Sequence, residues 1–143
     1  MSDVIILGSG PAGISAALYT ARANLETLIL SRKGSALKKA GRIENYYGFR
    51  EPVSGEDLLQ NGLSQAERIG ARFVWGEAVG ASWDGKEFTV LMESGKYQAP
   101  FLILATGLTR QTPRIPGISE FEGRGVSYCA VCDAFFFRGK PVA

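Results

Sequence analysis

The chain has 143 residues, 45% of them hydrophobic and 21% charged, the balance of an ordinary globular domain. Lys and Arg number 16 against 14 Asp and Glu, so no charge excess directs it toward nucleic acid or a membrane surface. Histidine is absent, which excludes Ser-His-Asp and Cys-His nucleophilic pairs and imidazole-bearing metal sites, and two cysteines cannot alone complete a four-ligand zinc site.

Met1-Ser2-Asp3 lacks the basic character of a signal peptide, and the apolar run Val4-Ile5-Ile6-Leu7 is too short for one. No apolar stretch approaches the roughly 18 residues of a membrane span. A cytoplasmic protein is expected. Val4–Leu7 reads as a strand buried on both faces of a parallel sheet. Gly8-Ser9-Gly10-Pro11-Ala12-Gly13 follows at once. Ile14, Ala17, Leu18 and Ala21 then recur at helical spacing, and Thr27–Leu30 is a second apolar strand. Together they make a βαβ unit.

Residues 31–49 show no periodicity and read as a long loop. Ser54, with Asp57 three positions later, opens a second helix whose apolar face is Leu58, Leu59, Ala66 and Ile69. Arg72–Trp75 is a further strand. Residues 78–99 read as a small antiparallel meander: Asp84-Gly85 turns the chain between strands 78–83 and 86–92, and Ser94-Gly95 turns it again. Phe101–Ala105 is another buried strand, ended by Thr106-Gly107, after which Pro113, Pro116 and Gly117 mark a connector. The expected fold is α/β: a Rossmann-like parallel sheet carrying a three-stranded antiparallel meander.

Gly8, Gly10 and Gly13 have dinucleotide-binding spacing in the strand–turn–helix setting that the chemistry needs. The first glycine permits the tight turn, the second lets the backbone approach a pyrophosphate, and the third lets helix and sheet pack closely. The helix N-terminus favours the phosphate charge, and Pro11 suits a first helical turn that needs no amide donor. The acidic residue expected for ribose hydroxyls at the end of the second strand is absent. Ser31-Arg32-Lys33 stands there, and its two cations would suit the extra phosphate of NADP or simply lie in solvent. Both readings stay open at this point.

Cys129-Ala130-Val131-Cys132 reads as a redox pair. At the start of a helix, positions three apart bring Cβ atoms to about 5–6 Å, within reach of a disulfide, and the helix N-terminus lowers a thiol pKa. Asp133 follows and is placed to carry a proton. Two buried reduced cysteines, or half of a zinc site shared across a dimer, are the alternatives.

Along nearly its whole length the chain resembles the low-molecular-weight thioredoxin reductases. The resemblance rests on Ile6-Leu7-Gly8-Ser9-Gly10-Pro11-Ala12-Gly13, Tyr19-Thr20-Ala21-Arg22-Ala23-Asn24, Ile43-Glu44-Asn45-Tyr46-Tyr47-Gly48, Ile103-Leu104-Ala105-Thr106-Gly107 and residues 123–133. The flavoprotein subunit of alkyl hydroperoxide reductase is similar more loosely. The resemblance implies a flavoprotein of the two-dinucleotide-binding type, with FAD on the first glycine motif and NADPH in a second domain. It implies cofactor contacts at Gly8, Ser9, Gly10, Pro11, Ala12 and Gly13, at Ser31, Arg32, Ala36 and Leu37, at Asn45 and Ala78, and at Ala105, Thr106 and Gly107. It makes Cys129, Cys132 and Asp133 catalytic, with Cys132 facing the flavin and Cys129 attacking the partner disulfide.

Two departures stand out. Where the family often carries Gly-Gly-Gln near the flavin, this chain reads Gly34-Ser35-Ala36-Leu37, and the sequence stops at Ala143, where the NADPH domain would begin. The expected organisation is an FAD-binding segment at 1–110 and a connector with the disulfide-bearing start of the NADPH domain at 111–143. The expected function of the complete protein is electron transfer from NAD(P)H through FAD to the Cys129–Cys132 disulfide and on to thioredoxin or a similar protein, as a homodimer. Without its second nucleotide motif the fragment is expected to be inactive. An FAD-binding remnant without turnover, or a reductase fed by ferredoxin or a second flavin, are the competing classes.

Overall fold

The computed structural model describes residues 1–108 and 113–143, with the side chain of Cys132 outside the described set. Its elements, in chain order, are β1 (Val4–Leu7), α1 (Pro11–Arg22), β2 (Thr27–Ser31), α2 (Gly55–Arg68), β3 (Arg72–Trp75), β4 (Ala78–Trp83), β5 (Phe88–Met92), β6 (Gly95–Ala99), β7 (Phe101–Leu104) and α3 (Ala130–Asp133). Short 3₁₀ turns lie at Ala36–Lys39, Ile118–Glu120 and Ala134–Phe137. No helix among the described residues is long and apolar enough to cross a membrane.

Four strands form a parallel sheet in the order β3-β2-β1-β7, with Ile6 aligned to Ile29 on one side and Ile103 on the other. The unbroken apolar run of β1 follows from what covers each face. Val4 and Ile6 pack with Ile14, Ala17, Ile29, Ala66 and Ala71 on the helical side. Ile5 and Leu7 pack with Leu28, Leu30, Val90, Met92 and Ala99, where the β4-β5-β6 meander lies across the opposite face. Alternating residues therefore enter two different cores, and burying each large aliphatic contributes about 1.5–3 kcal/mol.

The helix signals are met by specific contacts. Ser54 caps α2 by accepting from the Asp57 amide at 3.0 Å, and its hydroxyl donates to the Asp57 carboxylate at 2.6 Å. Leu59 and Ala66 are buried, Leu58 is half-buried, and Ile69 is the half-buried C-cap rather than a member of the packed face. α1 begins at Pro11, three residues earlier than its apolar spacing shows, because proline and glycine positions carry no periodic signal. It ends at Arg22 with Ala23 as C-cap, and Asn24 follows with φ 59°, a left-handed conformation that asparagine tolerates.

The structure departs from the sequence reading in three further places. The long loop expected at 31–49 holds the end of β2, the 3₁₀ turn at Ala36–Lys39 and an antiparallel bridge between Ile43 and Val53. β5 starts at Phe88, because the Asp84 carboxylate accepts the amides of Lys86 and Glu87, both at 2.8 Å, and draws them into the turn. β7 stops at Leu104, although the Ala105 amide still donates to the Leu7 carbonyl at 2.8 Å.

Candidate functional site

The chain leaves β1 toward β2 through α1, while β7 joins the opposite side of β1. The strand order therefore reverses between β1 and β7. In an open α/β sheet, ligands bind outside the carboxyl ends of strands at such a point. Gly8–Gly13 follows β1 there, and Ala105, Thr106 and Gly107 follow β7.

Three glycines of the motif do different work. Gly8 has φ +112°, and a Cβ on it would lie 2.1 Å from the Ala105 carbonyl oxygen. A Cβ on Gly13 would lie 1.9 Å from the Gly8 carbonyl oxygen. Both absences of a side chain are demanded by the protein's own packing. Gly10 is different. Its φ is −74°, open to any residue, and a Cβ there would meet only Ser35 Oγ, at an ordinary 3.8 Å. The fold does not require a glycine at this position, so the open backbone is available to something the chain itself does not supply.

Gly10 is the N-cap of α1 and offers no side-chain cap, Pro11 occupies the first turn, and no acidic residue lies in that turn. The helix start therefore presents uncapped amides and the positive end of its dipole. The donor set fits a pyrophosphate.

Ser31 closes the other side of the turn. Its Oγ accepts from the Ser9 amide at 3.1 Å and from the Ser9 hydroxyl at 2.9 Å, and it donates to the Arg32 carbonyl at 3.1 Å. Ser9 is buried. The residue at the usual ribose position thus spends its hydroxyl on bracing the glycine turn. Arg32 and Glu77 stand 3.6 Å apart with both side chains well exposed, a pair of little energetic consequence, and Ala78 follows at the start of β4.

Ala36 and Leu37 sit on the 3₁₀ turn, capped by Ser35, whose Oγ accepts from the Leu37 amide at 3.2 Å. Leu37, Pro11, Ile14, Tyr46 and Phe49 line a cavity of about 180 Å³ between α1 and α2. Gly55 locks that arrangement, since a Cβ on it would lie 1.8 Å from the Leu37 carbonyl oxygen. Asn45 is exposed on the 41–50 loop, and no hydrogen bond among the described residues joins it to the glycine turn.

The second cluster lies at residues 127–133. Cys129 is disulfide-bonded. The Asp133 amide donates to the Cys129 carbonyl at 3.0 Å, closing the single turn of α3. The Ser127 hydroxyl accepts from the Cys129 amide at 3.1 Å and donates in a short hydrogen bond to Asp133 Oδ2. Among the described residues, the hydrogen bonds of 113–140 stay within that stretch, and none reaches the glycine turn. The structure thus brings Gly8–Gly13, Ser31 and Ala105-Thr106 together, and Cys129 together with Asp133, and no hydrogen bond among the described residues joins the two groups. Sequence reasoning assigned no role to Ser127, although a serine three residues before a short helix can accept the amide two positions on in an ST turn.

The chain is an α/β protein with a glycine turn at the switch point of a parallel sheet and a disulfide-bonded cysteine farther along. The pyridine nucleotide-disulphide oxidoreductase family matches residues 2–143, and the chain belongs to it. It is 44% identical to the thioredoxin reductase of Bacillus subtilis over 143 residues, covering 98% of this chain and 45% of that protein. It is also 44% identical over 142 residues to the thioredoxin reductase of Treponema pallidum, covering 98% of this chain and 46% of the other. Among solved structures, thioredoxin reductase from Streptococcus pyogenes superposes with TM-score 0.88 at 38% identity, over 96% of this chain and 45% of that one. The atypical thioredoxin reductase TRi from Desulfovibrio vulgaris superposes with TM-score 0.72 at 42% identity, over 97% and 47%. The chain spans about half the length of the relatives it matches.

Proposed function

We propose that this chain is the FAD-holding and disulfide-bearing part of a thioredoxin-disulfide reductase. The observation that carries the reading is the disulfide at Cys129, one helical turn from Asp133, in a family member whose Gly10 backbone is open for reasons outside its own packing. In this reading residues 1–110 form the FAD segment, and 111–143 the connector and start of the NADPH domain.

FAD, when bound and reduced, would supply the two electrons that, with two protons, turn a disulfide into two thiols and leave the flavin oxidised. The amides at the start of α1 hold its pyrophosphate, Gly8 and Gly13 fix the turn that presents them, and Ala105-Thr106-Gly107 border the same crevice. Ser31, Arg32, Ala36, Leu37, Asn45 and Ala78 flank the cofactor. Cys132 pairs with Cys129 and faces the flavin, Asp133 delivers a proton as the pair is reduced, and the Cys129 thiolate attacks the disulfide of thioredoxin. The complete protein takes its electrons from NADPH and works as a cytoplasmic homodimer.

Reconstitution tests the cofactor. The purified chain is mixed with FAD or NADPH, passed through gel filtration, and its absorbance spectrum recorded. Co-elution of a flavin spectrum with the protein is the expected result. Retention of NADPH with no retention of FAD would sink the assignment of the first glycine motif.

A further inference from the structure

We propose that Ser127 is a positioning residue that holds the Asp133 carboxylate in register with Cys129, and that the rate of disulfide reduction depends on its hydroxyl. The inference rests on the reading of Asp133 as proton donor given above.

The geometry places a single hydroxyl between the two groups. The Cys129 amide donates to Ser127 Oγ at 3.1 Å, and the Ser127 proton goes to Asp133 Oδ2. The alternative acceptor, the Cys129 carbonyl, lies at 3.5 Å and is already engaged by the Asp133 amide at 3.0 Å. A serine hydroxyl has one proton to give, and here Asp133 Oδ2 receives it, which leaves Oδ1 for the proton that the carboxyl is to transfer. Ser127 also makes the only hydrogen bond to the Asp133 carboxylate among the described residues, and no ion pair there competes for it.

The consequence concerns orientation. The backbone bond from Asp133 to Cys129 fixes where Asp133 starts, but leaves its carboxylate free to rotate about χ1. Ser127 removes that freedom and ties the carboxylate to the backbone of the cysteine it serves. A proton donor is efficient only within hydrogen-bond reach of the atom it protonates. A carboxylate free to turn toward solvent spends much of its time out of that reach.

The test uses the full-length FAD-loaded protein, photoreduced so that no particular electron donor is assumed, and mixed rapidly with the small disulfide DTNB. Release of thionitrobenzoate reads the attack by the cysteine thiols, and return of the oxidised flavin absorbance reads electron transfer into the re-formed disulfide. Ser127→Val and Ser127→Thr differ by the hydroxyl at nearly constant shape. The expected result is that Ser127→Val slows flavin reoxidation about tenfold while leaving thionitrobenzoate release unchanged. Ser127→Thr should restore reoxidation, and Ser127→Val should slow an Asp133→Asn protein no further.

Two failures are distinguishable. A slow Asp133→Asn protein beside a normal Ser127→Val protein overturns the inference and leaves the functional reading standing. A normal Asp133→Asn protein removes the proton-donor role and takes the inference with it. Equal slowing by Ser127→Val in both backgrounds makes the serine merely structural. Equal slowing by Thr and Val does the same.

Discussion

At the scale of single residues, the glycine motif separates what the fold needs from what a ligand needs. Gly13→Ala forces a Cβ to 1.9 Å from a backbone oxygen, so strand and helix must part, at a cost of at least about 1–3 kcal/mol. Gly10→Ala meets nothing closer than 3.8 Å at an unstrained φ and should change stability by less than about 0.5 kcal/mol. It should nonetheless weaken FAD binding, because the new methyl group would obstruct a pyrophosphate approaching the Gly10 backbone. Urea denaturation of the apo chain and an FAD titration check the pair. A Gly10→Ala protein that binds FAD normally would show that the open backbone serves no ligand. The spacing of these glycines was legible in the sequence, since turn, approach and packing each permit one residue type. Ser127 was not, because its meaning depends on a carboxylate six residues away that only the α3 turn brings back to it.

At the scale of elements, legibility followed length and burial. β1 and β2 showed plainly as apolar runs because both faces of the sheet are covered. The Ala36–Lys39 turn did not, since four residues display no period that distinguishes them from a loop. The β4–β5 turn shows how one side chain redraws a boundary. Asp84 and Gly85 signal a two-residue hairpin, yet the Asp84 carboxylate captures the amides of Lys86 and Glu87 and lengthens the turn. The same bonds hold the Asp84 carboxyl below the usual aspartate range, with the Glu87 amide the larger cause and the Lys86 amide the next. A group whose pKa is depressed by folding stabilises the fold above its unfolded pKa. That contribution is lost as the pH falls through the lower, folded value. Wild type should therefore exceed Asp84→Ala in stability at neutral pH, and the difference should close as the solution is acidified below the ordinary aspartate range. Denaturation midpoints of the two proteins across acid pH measure it. A difference that stays constant with pH would mean the turn is held by something other than the ionised carboxyl.

At the scale of the whole molecule, the order β3-β2-β1-β7 reverses once among the described residues, so the sheet provides a single crevice at its carboxyl ends. The alternation of motifs and apolar runs made a parallel sheet carrying a three-stranded meander readable in advance, but not the order of its strands. One crevice has consequences for turnover. Passing electrons from NADPH to FAD requires both nucleotides to be bound at once with their reacting rings in contact. A glycine cradle that holds one pyrophosphate at the start of α1 cannot hold a second. The 143-residue chain, loaded with FAD, should therefore show no NADPH oxidation above the buffer blank when mixed with oxidised thioredoxin. The same measurement on the thioredoxin reductase of Bacillus subtilis, of which this chain spans 45%, supplies the positive control. Thioredoxin-dependent loss of NADPH absorbance by the pure 143-residue chain would mean that the crevice between β1 and β7 serves both nucleotides, and the assignment of one cofactor to one glycine motif would fail with it.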